Sequence, residues 1–159
     1  MDEGEQLRNW LNGDEAAALL VEKLFALSQI ADDFVDDDQE INRNKAMCKL
    51  LHIAIVEIPS NPAWLQYQNW LLPLISSSII TWGTSNELAN DDDEDSRRFA
   101  WAIRDIAEQL VHQVALLKNG FDYAQRIAAE VARYYRTNED KETFEQWQEG
   151  LKNEWRRKI

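Results

Sequence analysis

The chain has 159 residues, 17 Lys+Arg against 29 Asp+Glu for a formal net charge of −12, and 45% hydrophobic residues. That is the balance of a folded domain, and it weighs against non-specific binding to nucleic acid or an anionic membrane, which reward clustered positive charge. With 5 Gly and 3 Pro there is little turn chemistry for a hairpin-rich sandwich or barrel, and the single Cys48 excludes an intramolecular disulfide or a thiolate-rich zinc site.

The length predicts one domain over residues 1–159. Helical periodicity runs throughout. A short opening helix at 5–11 stops at Asn12-Gly13, and Asp14 caps a long helix at 15–37. The apolar stripe of that helix is Leu20, Leu24, Leu27, Ala31 and Val35. A second long helix is expected at 41–58, stopped by Pro59-Ser-Asn-Pro62. The next covers 62–82, with Pro73 expected to kink or split it and 83–86 as a connector. Residues 91–95 open a single periodic run through Trp101, Ile103, Ile106, Leu110, Val114 and Leu117, closed by Asn119-Gly120. Two more helices follow at 122–136 and 143–156. The expected fold is all-α, a single bundle of about six helices.

The N-terminal MDEGEQLRNW has neither the basic nor the apolar region of a secretory signal. The apolar run at 71–82 contains Pro73 and three serines and falls short of the roughly 20 residues of a membrane span. A soluble, intracellular, cytoplasmic protein is the expectation, with no membrane and no nucleic acid among its partners.

The most distinctive chemistry lies at the end of the first long helix. Asp32 and Asp36 stand four apart, as do Asp33 and Asp37, so each pair shares a face. Hard oxygen ligands one turn apart suit Mg²⁺, which prefers one or two carboxylates plus water and a substrate phosphate. Glu22, Gln29, Asp33 and Asp36 project along nearly one line, so a bound ion could clamp a diphosphate and stabilise its departure. The same line is almost opposite the apolar stripe, where a solvated face would lie. Acids at a helix C-terminus also oppose the macrodipole. The residues alone leave both readings open.

Asp32-Asp33-Phe34-Val35-Asp36 matches the DDxxD metal motif of the class I isoprenoid synthases, and residues 24–33 resemble the helix that carries it. The resemblance implies an isoprenoid-synthase-like bundle in miniature, with Asp32, Asp33 and Asp36 as Mg²⁺ ligands and a diphosphate as substrate group. The second acidic run offers Asp91, Asp92 and Asp95 at the same spacing, although Ala100 stands where the cyclase version has a Glu. Acids at that point also suit a helix start. Arg133-Tyr134 is similar to the Arg-Tyr pair of some cyclases, although Tyr134, Tyr135 and Arg136 read more simply as an ordinary amphipathic edge; Gln29 and Arg133 are the candidate substrate-binding residues. Class I synthases are longer chains, so the expectation is their architecture without competent prenyl transfer. The stretch also resembles one in short proteins of phage and prophage genomes.

Other constellations are thinner. Asp105, Glu108 and His112 share a helical face, but Glu108 and His112 are four apart where a di-metal bundle needs two Glu-x-x-His units, and no second such pair follows. His52 reads as a core or boundary residue and Cys48 as a buried thiol. A Mg²⁺-dependent nucleoside-triphosphate pyrophosphohydrolase bundle would use Glu-x-x-Glu pairs within long helices, and Glu142–Glu145 only flanks a helix start. At the C-terminus Trp147, Leu151 and Trp155 form a narrow apolar stripe ahead of a basic tip, a surface for a homodimer or another partner helix. Two functions therefore stand side by side: a Mg²⁺-bound diphosphate site whose catalytic residues are unassigned, and a non-enzymatic, oligomeric interaction protein of phage-accessory type with solvated acidic faces.

Overall fold

The computed structural model describes residues 2–35, 42–104, 107–136 and 142–158, with side chains except at 107, 136 and 152–158. Among them all regular structure is helical, so the all-α expectation holds, with more than the six or so helices anticipated.

Helix α1 (Glu3–Trp10) begins where Asp2 accepts a hydrogen bond from the Glu5 amide at 2.8 Å. Its end is a left-handed turn: Asn12 and Gly13 have φ of 57° and 75°, and the Gly13 amide reaches back to the Arg8 carbonyl at 2.7 Å. Asp14 caps α2 (Glu15–Val35) through the Ala17 amide, as its sequence position predicts. Ala17, Ala18, Leu20, Val21 and Leu24 of α2 are buried, Leu27 and Ala31 only half so, and Val35 is exposed. The apolar stripe thus leaves the core as the helix approaches its aspartates.

Asn42 caps α3 (Arg43–His52), which passes without a break into a π-helical turn (Ile53–Glu57) and a last α turn, α4 (Ile58–Ser60). None of the side chains of α3 is fully buried, which corrects two expectations. Cys48 is exposed. His52 is exposed too, its Nε2 3.4 Å from Glu57.

Asn61 joins two elements. Its Oδ1 accepts from the Ala63 and Trp64 amides at 2.8 and 3.2 Å, and its Nδ2 donates to the Ala16 carbonyl at 2.9 Å, fastening the start of α5 (Pro62–Leu88) to α2. Helix α5 corrects two further expectations: Pro73 does not split it, and residues 83–86 are helix, not connector. Pro73 lies on the exposed side, where the carbonyl one turn earlier, left without its amide donor, is open to solvent. Leu71 and Ser78 on the buried side hold both halves against their neighbours.

The expected single run from 91 is two described helices, α6 (Glu94–Ile103) and α7 (Ala107–Asn119); Ile106 and Asp105 lie outside the described residues. The physical reason is packing. α6 lies along α5, where Ser85 Oγ donates to the Ala100 carbonyl at 3.1 Å, while α7 packs with α8 (Phe121–Arg136), α2 and α5. Gly120, with φ of 84°, joins α7 to α8. The core gathers Leu7, Trp10, Leu20, Val21, Val111, Val114 and Val131. Tyr135, which its neighbours Tyr134 and Arg136 place on an ordinary amphipathic edge, is instead buried, with ring centroids 5.9 Å from Trp10 and 5.7 Å from Phe25. The last helix, α9 (Phe144–Lys158), packs on α6. Trp147 lies 5.4 Å from Trp101, and Arg104 stacks 3.6 Å over the Trp101 ring.

Candidate functional site

The carboxylates of α2 are placed by the same helix that builds the core. Asp32 is half-buried and turned toward α5, where Trp82 Nε1 donates to its Oδ1 at 2.8 Å. Asp33 is half-buried and accepts from Gln29 Nε2 at 2.9 Å, one turn earlier on the exposed face. Two adjacent carboxylates are therefore each held by one neutral donor. Glu22, on the same line of α2, instead faces Arg8 at 3.3 Å. Asp36, the third ligand of the DDxxD pattern, lies outside the described residues. Among the described residues no three His, Cys, Asp or Glu side chains group as a metal site. Trp82 is the partner that sequence spacing could not have supplied, because it comes from a different helix, 50 residues away.

The second acidic run is the start of α6. Asp93 is its cap, accepting from the Ser96 amide at 2.8 Å, and that bond holds the Asp93 carboxyl below the usual carboxylate range. Asp91, Asp92 and Asp95 are exposed around it, with the Asp91 carbonyl accepting from Arg97 at 2.6 Å and Glu94 paired with Arg98 at 2.7 Å. Arg133 is exposed on α8, and the neighbouring Tyr134 packs edge-on to Trp10 at 5.2 Å. Burial, then the acids Glu3 and Asp2, push the Tyr134 phenol up. His112 is half-buried with an enclosed Nε2 that has no hydrogen-bond partner among the described residues.

An open groove of about 410 Å³ lies elsewhere, between α2 and the start of α5, lined by residues such as Leu19, Lys23, Glu57 and Asn61. Its floor carries a Lys23–Glu57 ion pair, and the Lys23 hydrogen bond holds Glu57 below its usual range.

The most conspicuous surface is apolar. On α5, Leu65, Trp70, Leu72, Ile79 and Ile80 are 60, 66, 45, 61 and 69% exposed. On α3 and the π turn, Met47, Leu51, Ile55 and Val56 are exposed as well. Scattered exposed apolar residues are ordinary, but several on one helix face are not. On α9, the sequence stripe divides: Trp147 and Leu151 are half-buried, Trp147 against Trp101 and Phe144, and the Trp155 side chain lies outside the described residues. No helix of the described residues is long and apolar enough to cross a membrane. Compared with known protein families, with curated proteins and with solved structures, the chain gave no match.

Proposed function

We propose that this chain is an interaction module, a helical bundle that works by docking an apolar helix face while its acidic faces stay solvated. The observation that supports it is the outer side of α5, where Leu65, Leu72, Ile79 and Ile80 stand in solvent on a helix with one charged residue, Glu87. Leaving such surface exposed forgoes roughly 25 cal/mol per Å² that a partner would recover. The test is binding of an environment-sensitive apolar dye to the native protein at submicromolar concentration. Enhanced fluorescence that Leu72→Glu and Ile79→Glu abolish supports the reading, and a native protein that leaves the dye dark refutes it.

A second reading is favoured by one specific observation. Trp82 and Gln29 orient two adjacent carboxylates without neutralising either of them, which suits a Mg²⁺ ion shared with a diphosphate, as the likeness to the isoprenoid-synthase motif implies. Asp32 and Asp33 would be the ligands, with Asp36 the third member of the sequence motif. Millimolar Mg²⁺ plus pyrophosphate should then raise the melting temperature of the native chain but not of Asp33→Asn. Equal behaviour of the two removes this reading.

A further inference from the structure

We propose that α5 is a self-association helix, joining two copies of the chain antiparallel along one seam. The proposal rests on the interaction reading and supplies its partner. Leu65, Leu72 and Ile79 recur every seven residues, and Asn69, Ser76 and Gly83 follow each of them by four. All six are exposed. Spacings of four and three that sum to seven hold side chains on the facing edge of two gently coiled helices.

The sizes along the seam decide the orientation. In a parallel pair each residue meets its own counterpart, so large aliphatic layers alternate with an Asn69 layer and with Ser76 and Gly83 layers that leave holes. In an antiparallel pair each large aliphatic residue lies over a shorter one: Leu65 over the partner's Gly83, Leu72 over the partner's Ser76, Ile79 over the partner's Asn69. Facing large and small positions is how packed layers interdigitate without voids.

Gly83 supports this independently. Glycine in a helix interior is about 1 kcal/mol worse than alanine, and here an added Cβ would meet nothing within 4 Å. The chain's own packing gives no reason for a glycine at that place. A second copy does, since Leu65 of that copy needs the space.

Charge selects a second copy over a basic partner. Across residues 62–88 the helix carries Glu87 as its one charged residue, in a chain of net charge −12. A basic partner drawn by the acidic faces would find nothing to pair with along this seam. A second copy brings an equally uncharged face and repels little across it, since exposed charges beyond about 10 Å are screened at ordinary salt. A 27-residue helix is about 40 Å long and about 10 Å across, so the seam covers several hundred Å² per copy. At about 400 Å² per copy that is half the ~800 Å² per partner of a standard interface, the size of a weak, reversible dimer.

Sedimentation equilibrium on the full chain from about 0.5 to 200 μM tests the idea. The expected mass rises from 18.6 kDa toward twice that value. Gly83→Leu should weaken the dimer at least tenfold, although leucine is the better helix former, and Leu72→Glu should leave a monomer with unchanged far-UV circular dichroism. In a Cys48→Ser background, Leu65→Cys with Gly83→Cys should cross-link two copies under mild oxidation, whereas Leu65→Cys alone should not. A dimer that withstands both Gly83→Leu and Leu72→Glu overturns the seam, and cross-linking by Leu65→Cys alone overturns the orientation. A chain that stays single to 200 μM overturns self-association. If that single chain still brightens the dye through Leu72 and Ile79, the docking face stands and the second copy alone fails; if the dye stays dark, both fail.

Discussion

The hydrogen bond from Trp82 to Asp32 ties the end of α2, where the apolar stripe has left the core, to the middle of α5. Removing it with Trp82→Phe deletes a donor and some ring area, so one substitution alone does not isolate the bond. A double-mutant cycle with Asp32→Ala does. A hydrogen bond to a charged group contributes about 1.5–3 kcal/mol when enclosed. Both side chains are half-buried, so water competes and the expected coupling falls to about 1 kcal/mol. Each single variant should lose that coupling plus its own packing, lowering the melting temperature by about 2–4 °C per kcal/mol for a chain of this size. Urea titrations followed by circular dichroism at 222 nm give the four free energies. A coupling below about 0.3 kcal/mol would refute the reasoning, because the two groups would then be independent within the scatter of distant sites.

Other expectations are briefer. At Asp14, burial pushes the carboxyl up, but the Lys118 ammonium and the Ala17 amide outweigh it and hold the group below its usual range of about 3.8. A depressed folded-state pKa contributes stability that is present above the unfolded value and lost as pH falls through the folded one. Acid titration of stability below about pH 4 should therefore be shallower in Lys118→Met than in the native chain; equal slopes would show that the pair is not the cause. Trp10, 2% exposed and enclosed by Tyr134 and Tyr135, should cost about 3–5 kcal/mol as Trp10→Ala by chemical denaturation, the range for large core truncations. Arg104→Ala should release α9 from α6, costing about 1 kcal/mol and reducing the near-UV signal of Trp101 and Trp147. An unchanged near-UV spectrum would show that the stacking does not order those rings.

Helix identity was legible wherever a cap or stop is local. Asp14, Asn61-Pro62 and Gly120 each act within one turn of themselves, and each marks a boundary in the structure. The failures came where a distant neighbour overrides a local preference. Pro73 reads as a break, yet its helix continues because the buried flank packs on other helices while the proline faces water. The periodic run from 91 reads as one helix, yet its first half packs on α5 and α9 while its second half packs chiefly on α8, with α2 and α5 beside it. Cys48 reads as buried from its apolar flanks, but α3 is a peripheral helix with none of its side chains fully enclosed.

By itself the sequence determined the all-α class, the acidic balance and the caps, since these depend on residue type and on spacings shorter than a turn or two. Tertiary structure alone decided that Asp32 meets Trp82 and that Trp147 meets Trp101. It also decided that the outer edge of α5 is exposed among the described residues. Those outcomes depend on which helices lie side by side, and periodicity reports that a face is apolar without saying what, if anything, it packs against.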